Sequence, residues 1–350
     1  MNKLDEQVYA FYRTSIERKA FMPPRLDVKL MRAASDMTFN DRKEILPIWK
    51  TQDVEISGPL RLRVYTPHEG NTFPVLLFFH GGGFIMHNIE SHDALCRKLA
   101  VTLGFAVVSV GYRLAPEHPY PAALEDAEAA CRWVRSHAAE NGWNADRIYA
   151  GGDSAGATIS AALALKLAGS AAAREPSDTA AALGQSDTAA VREPSDSAVA
   201  LGQPDTAAAV GQSDTAALSG LLLLYGVYGA VDLVDSKSCR EFGGGDFVLP
   251  QETLEFCDRL YAGSADRIDS LLYPGLATDF SGFPPCVVVT ADFDPLRDDG
   301  LAFADKVERA GIPVTRIRAE GMMHGFALHW HRFRRAEATL LQACSALTRD

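Results

Sequence analysis

The sequence predicts an α/β fold with a mostly parallel central sheet and helices on both faces. Two observations carry this expectation. Short apolar, β-branched runs alternate along the chain with segments of helical spacing. The runs also lack polar alternate positions, so each needs cover on both sides, which is the mark of a parallel sheet strand. Strand, crossover helix and returning strand then build the sheet with right-handed connections.

Taken in order, residues Met1–Lys50 have helical spacing and no place in the sheet. Arg61–Tyr65 and Val75–Phe79 read as strands, followed by a helix over Asp93–Leu103 and a strand over Phe105–Val110. A helix over Ala122–His137, a strand over Arg147–Ala150 and a helix over Ala155–Leu167 come next. The strands Gly220–Tyr225, Cys286–Thr290 and Val314–Arg318 complete the sheet, with helices over Arg297–Ala310 and Phe326–Leu347. Gly226–Pro274 is mixed and loop-rich. It and residues 1–50 are assigned to a cap over one edge of the sheet, with cap segments at 1–50 and about 226–275.

One stretch breaks the alternation. From Arg174 to Leu218 five nine-residue units follow one another, REPSDTAAA, LGQSDTAAV, REPSDSAVA, LGQPDTAAA and VGQSDTAAL, each with Asp at its fifth position. Calcium-binding nonapeptides carry more glycines and carboxylates per unit, and a solenoid reading fits poorly. With no aromatic residue to bury, 174–218 reads as a low-complexity, disordered insertion in a surface loop.

Subtracting it leaves 305 of the 350 residues, a length that suits a single capped domain over 1–350. The insertion holds seven acids and two arginines, a net −5, so the body keeps −6 of the chain's −11. An acidic balance disfavours nucleic acid and anionic membrane surfaces as partners. No apolar run approaches the roughly 20 residues of a membrane helix. The first 20 residues mix charges with apolar positions and do not read as a signal peptide. Six scattered cysteines without metal-type spacing suggest free thiols and a cytoplasmic location.

Gly152-Asp153-Ser154-Ala155-Gly156 follows a predicted strand and opens a predicted helix. A serine in G-x-S-x-G between strand and helix is a nucleophile elbow. The sharp turn lifts the hydroxyl above the sheet edge, and the glycines two residues either side admit the close approach of strand and helix. The bland alternative is a small-residue turn that only packs helix on strand. His80-Gly81-Gly82-Gly83-Phe84 follows another strand. Unshielded glycine N–H groups there serve as an oxyanion hole together with the amide of Ala155, each donor worth about 3–4 kcal/mol in the transition state. Gly82 and Gly83 are the favoured donors, with Gly81 possible. His80 is expected to order the turn. A second glycine run, Gly243–Gly245, reads as a plain loop.

After Ser154 the histidines are His324, His329 and His331. His324 sits in a loop beyond the last strand, where a general base can reach the sheet edge, whereas the other two fall in the predicted C-terminal helix. A metal reading of the three fails on spacing and on the lack of a carboxylate pair, so no metal and no cofactor is expected. The acid should end the strand Cys286–Thr290. Asp292, Asp294, Asp298 and Asp299 are candidates. Asp294, in a turn before Pro295, is preferred to Asp298, and Asp298 and Asp299 suit the first turn of a helix, where acids offset its dipole.

Together HGGGF, GDSAG, DPLRDDG and the His-Gly-Phe run, with Tyr112–Glu117 and Ala122–Asp126, resemble the hormone-sensitive-lipase-like family of α/β-hydrolase esterases. LLLYGVYG at Leu222–Gly229 looks closest to bacterial acetyl esterases. The likeness covers nearly the whole chain except the nonapeptide insertion. It implies an α/β-hydrolase fold with a mainly helical cap, Ser154 as nucleophile, Asp294 and His324 as acid and base, and Gly82, Gly83 and Ala155 as oxyanion hole. It also implies a serine carboxylesterase for short, acetyl-type esters, with a small-molecule ester as its partner. A lactonase or amidase on the same fold, or a non-catalytic ligand-binding protein, are the alternatives. The oligomeric state is unspecified.

Overall fold

The computed structural model describes residues 3–18, 26–39, 46–56, 58, 60–70, 72–172 and 217–349. Helices α1 (Glu6–Glu17) and α2 (Val28–Phe39) precede strands β1 (Lys50–Ile56), β2 (Leu60–Thr66) and β3 (Phe73–Phe79). Then follow α3 (Asp93–Leu103), β4 (Ala106–Gly111), α4 (Ala122–Ser136), the single turn α5 (Ala138–Asn141), β5 (Trp143–Asp153) and α6 (Ala155–Ala172). The second half holds β6 (Gly220–Leu224), α7 (Lys237–Phe242), α8 (Gln251–Ala262), β7 (Cys286–Phe293), α9 (Arg297–Arg309), β8 (Val314–Met323) and α10 (Arg334–Leu347).

The eight strands form one sheet in the order β1-β2-β4-β3-β5-β6-β7-β8. β1 and β2, and β2 and β4, pair antiparallel, and every other pair is parallel. Alternation in β3 shows how the apolar runs work. Val75, Leu77 and Phe79 enter one buried cluster with α4 and α6, while Leu76 and Phe78 enter the other with α3 and α10. Both faces are covered, as wholly apolar strands require. α6 is apolar on nearly every side and accordingly buried, and its one charged side chain, Lys166, pairs with Glu128 of α4 at 2.9 Å.

Three features depart from the sequence expectation. β1 was not foreseen, because Lys-Thr-Gln-Asp-Val-Glu-Ile has no apolar run. It is an exposed edge strand held by its ladder to β2 and by Asp53, which accepts from Arg63 Nε at 2.6 Å. β5 and β8 are far longer than predicted, since Trp143 and Met323 pair again with Phe73 and Phe293 beyond an irregularity in each ladder. The expected single helix Phe326–Leu347 is interrupted. A short 3₁₀ turn, Phe326–His329, gives way to an extended Phe333, and α10 begins at Arg334, whose N–H donates to Gln7 Oε1 of α1 at 2.9 Å. The break lets Trp330 and Phe333 both reach the core.

The nonapeptide expectation falls on residues outside the described set, apart from Ala217 and Leu218. Leu218 is 4% exposed and belongs to the core. Replacing 174–216 by a short Gly/Ser linker is expected to shift Tm by no more than about 3 °C, the outcome a dispensable surface-loop insertion would give. Removing Leu218 as well should lower Tm further, in line with the about 2–5 kcal/mol of a truncated core leucine. Thermal melts of the two variants check this, and a large fall in the first would refute a dispensable insertion.

Candidate active site

The site begins with a backbone that has no room. Ser154 sits between β5 and α6 with φ +52°, in the left-handed region. A Cβ on Gly156 would lie 1.8 Å from Phe79 O, and one on Gly152 would lie 2.4 Å from the same oxygen. Only glycine permits this approach of the elbow to the end of β3. Ser154 N–H donates to Leu224 O at 2.8 Å, which ties the turn to β6 as well.

The structure brings Ser154, His324 and Asp294 together. Ser154 Oγ lies 3.0 Å from His324 Nε2, and His324 Nδ1 lies 2.8 Å from Asp294 Oδ2. The other carboxylate oxygen of Asp294 accepts from Leu296 N–H at 2.9 Å, and the residue is fully buried. His324 follows β8 directly, and the ring of Tyr225 packs edge-on against it at 4.9 Å.

The remaining acids go elsewhere. Asp292 pairs with Arg318 and accepts from Gly321 N–H. Asp298 accepts from Ser238 N–H at 2.8 Å. Asp299 does not simply face its own helix dipole: its carboxylate accepts from the N–H groups of Tyr228, Gly229, Ala230 and Val231. Burial raises its pKa, and those four bonds oppose the rise. His329 and His331 lie in the 3₁₀ turn and the bend after it, not in a helix. His329 Nε2 is 3.0 Å from the hydroxyl of Tyr12, and no cluster of metal-ligating side chains exists among the described residues.

The glycine turn separates its three members. Gly81 N–H donates to Asp153 Oδ1 at 2.9 Å and is therefore committed. Gly82 and Gly83, with φ +113° and +60°, line the cavity with Ala155, and their N–H groups have no acceptor among the described residues. Neither tolerates a side chain: a Cβ on Gly82 would meet Met86 O at 2.2 Å, and one on Gly83 would meet Cys257 Sγ at 2.6 Å. His80 is buried behind the turn, stacked on Tyr112 at 4.3 Å, with Nδ1 2.8 Å from Gly81 O.

The cavity above Ser154 measures about 690 Å³. Its walls come mostly from Val227–Val234, α8 and the 272–276 turn, with Tyr12 of α1 at one side. Phe84 of the glycine turn stacks on Tyr261 of α8 at 3.6 Å. The sequence reading missed Tyr12, Cys257 and Tyr261, which carry no motif. Their only signal was membership of segments with no place in the sheet. All six cysteines are free and buried. No helix among the described residues is long and apolar enough to cross a membrane.

Sequence comparison now adds its weight. Residues 76–328 match the family described as alpha/beta hydrolase fold. The chain is 32% identical over 295 residues to the esterase LipI of Mycobacterium tuberculosis, covering 81% of this chain and 77% of that one. It is 30% identical over 276 residues to an acetyl esterase of Salmonella schwarzengrund, covering 79% and 71%. Among solved structures, a hyperthermophilic esterase from the archaeon Pyrobaculum calidifontis superposes with TM-score 0.79 at 26% identity, over 99% of this chain and 98% of that one. Fold and site thus define an α/β hydrolase. The chain belongs to the hormone-sensitive-lipase-like esterase family within that fold.

Burial drives the pKa of His80 and His87 down to about 3 and that of His329 to about 4. Unfolded histidine titrates near about 6.5, so between there and about 4 the unfolded chain binds more protons than the folded one. Stability is therefore full above that window and falls as pH drops through it. Tm should decline from pH 7 to pH 4.5, and His329→Asn should flatten the decline. An unchanged slope would show that His329 does not govern it.

Proposed function

We propose that the protein hydrolyses carboxylic esters of short acyl chains through an acyl-enzyme on Ser154. Ester hydrolysis as such follows from family membership and from relatives named esterase and acetyl esterase. The observation that carries the mechanism is the continuous hydrogen-bond chain Ser154–His324–Asp294 opening onto a cavity where three N–H groups stand unpaired.

The steps follow from which atoms hold protons. With Nδ1–H donated to Asp294, His324 presents an unprotonated Nε2 to the Ser154 hydroxyl. Nε2 takes that proton as Oγ bonds to the ester carbonyl carbon, and the carbonyl oxygen becomes an oxyanion held by Gly82, Gly83 and Ala155 N–H. The imidazolium then gives its proton to the leaving alkoxide as the C–O bond breaks. Water, deprotonated by the same nitrogen, bonds to the acyl carbon, and the C–Oγ bond breaks as His324 returns that proton to Ser154 Oγ, releasing the acid. Asp294 keeps the imidazole in this tautomer and balances its transient charge.

The short-acyl reading is supported by the likeness to an acetyl esterase. Cavity size does not carry it, since 690 Å³ also accommodates longer chains. A p-nitrophenyl ester series from acetyl to decanoyl should give its highest kcat/KM at the short end, with Ser154→Ala inactive. A maximum at eight carbons or beyond would overturn the chain-length assignment. Asp294→Asn should cost about 10³–10⁴ in kcat, whereas Asp298→Asn should stay within about threefold of wild type. Equal losses would displace Asp294 from its role.

A further inference from the structure

Gly83 N–H is aimed by bonds that can be followed outward from the turn. Gly82 O accepts the N–H groups of Ile85 and Met86, each at 3.1 Å. Gly82 O and Gly83 N–H belong to one peptide unit, and that unit is trans, so the two point in opposite directions. Holding the oxygen on Ile85 and Met86 therefore sets the direction of Gly83 N–H.

The same step repeats once more. Met86 N–H shares its peptide unit with Ile85 O, and Ile85 O accepts from Arg32 Nε at 2.7 Å. Arg32 belongs to α2, outside the sheet. Its Nη2 donates to Ala115 O at 3.0 Å, and Ala115 N–H donates to Phe84 O at 3.0 Å, so a second thread from the same guanidinium reaches the residue after Gly83. Glu117 holds the far side of the fork with both oxygens, 2.9 Å from Nη1 and 2.8 Å from Nη2. Four of the five N–H groups are thus committed, which fixes the plane of the guanidinium.

We propose that Arg32 is a positioning residue for the oxyanion hole, acting through two peptide units. The guanidinium holds the Ile85 carbonyl, Met86 N–H holds the Gly82 carbonyl, and Gly83 N–H meets the oxyanion. The proposal rests on the reading of Gly83 as an oxyanion donor. The relay does two things. It orients Gly83 N–H, and it strengthens it, because each bond made at a carbonyl oxygen draws electron density from the N–H of the same unit. Arg32 stands outside the substrate cavity. Its effect therefore falls on the state in which the carbonyl oxygen is negative, and not on ester binding. A neighbouring bond separates this role from simple docking of α2. Ser35, one turn along the same face, has its Oγ 2.7 Å from His87 Nδ1 and ties the helix to the body outside the relay.

The test uses the full chain, p-nitrophenyl acetate and phenylboronic acid, whose tetrahedral adduct on Ser154 places an oxygen in the oxyanion position. Arg32→Met keeps the stem and loses every donor. It should lower kcat about tenfold or more with KM within about threefold, and weaken phenylboronic acid by a similar factor. Arg32→Lys offers one ammonium in place of the fork. It should fall about threefold or more below wild type in kcat yet above the methionine variant, and it decides alone if that variant does not fold. Ser35→Ala should stay within about threefold of wild type. Wild-type kcat in the Arg32 variants, a loss confined to KM, or an equal loss in Ser35→Ala overturns the positioning role. Backbone ¹⁵N–¹H spectra of wild type and the Arg32 variants give a readout free of turnover. The Met86 and Gly83 amide protons should move upfield on substitution, while that of Gly81, bonded to Asp153, stays in place. Unmoved Met86 and Gly83 signals overturn the relay. If wild type itself lacks esterase activity, the functional reading fails, while the spectra still decide whether Arg32 reaches Gly83.

Discussion

The site hangs on one contact that leaves no space for a side chain, that of Gly152 and Gly156 with the carbonyl of Phe79. β3 and β5 are parallel neighbours with Phe79 opposite Gly152. β3 runs on into the glycine turn and β5 runs on into the elbow, so the same register that pairs the strands sets unpaired N–H groups beside the serine. A methyl at either glycine would force β5 and α6 off the end of β3 and part the nucleophile from its donors. The left-handed Ser154 is the cost of that geometry, and its N–H bond to Leu224 O helps hold it there.

Constraints of this kind are local, which is why they were legible in the sequence. Gly-x-Ser-x-Gly and His-Gly-Gly-Gly record where backbone must touch backbone, and the apolar runs record burial on two faces. What escaped was what depends on tertiary partners. β1 is polar and is a strand only because β2 offers it a ladder and Arg63 offers a partner for Asp53. The last helix breaks after His329 because both Trp330 and Phe333 reach the core, and Gln7, more than three hundred residues away in sequence, caps the restart.

The acidic stretch after β7 shows how identical side chains acquire different work. Asp292, Asp294, Asp298 and Asp299 lie within eight residues, and the sequence favoured Asp294 as the acid while placing Asp298 and Asp299 in the first turn of a helix. Each finds a different set of donors. Asp292 draws in Arg318 and Gly321 at the end of β8, just ahead of His324. Asp294 takes His324 itself. Asp299 secures the cavity wall at Tyr228–Val231, and Asp298 the start of α7 at Ser238. The end of one strand thus anchors the histidine, its approach and the cavity wall, so chemistry and substrate space share one rigid origin.

Asp153 raises the remaining electrostatic question. A carboxylate one residue from the nucleophile lies near the place where the carbonyl oxygen must become negative, and in a buried site like charges interact strongly. An unmatched charge there would oppose the reaction. Removing the acid would release Gly81, whose N–H bond to it keeps the turn in place. The structure meets the second demand by turning Asp153 Oδ1 inward to Gly81 N–H. Asp153 lines the cavity beside Ser154, while Gly82, Gly83 and Ala155 keep their N–H groups free for the substrate. The motif residue beside the serine therefore serves the oxyanion turn by position, through the bond it accepts from Gly81 N–H.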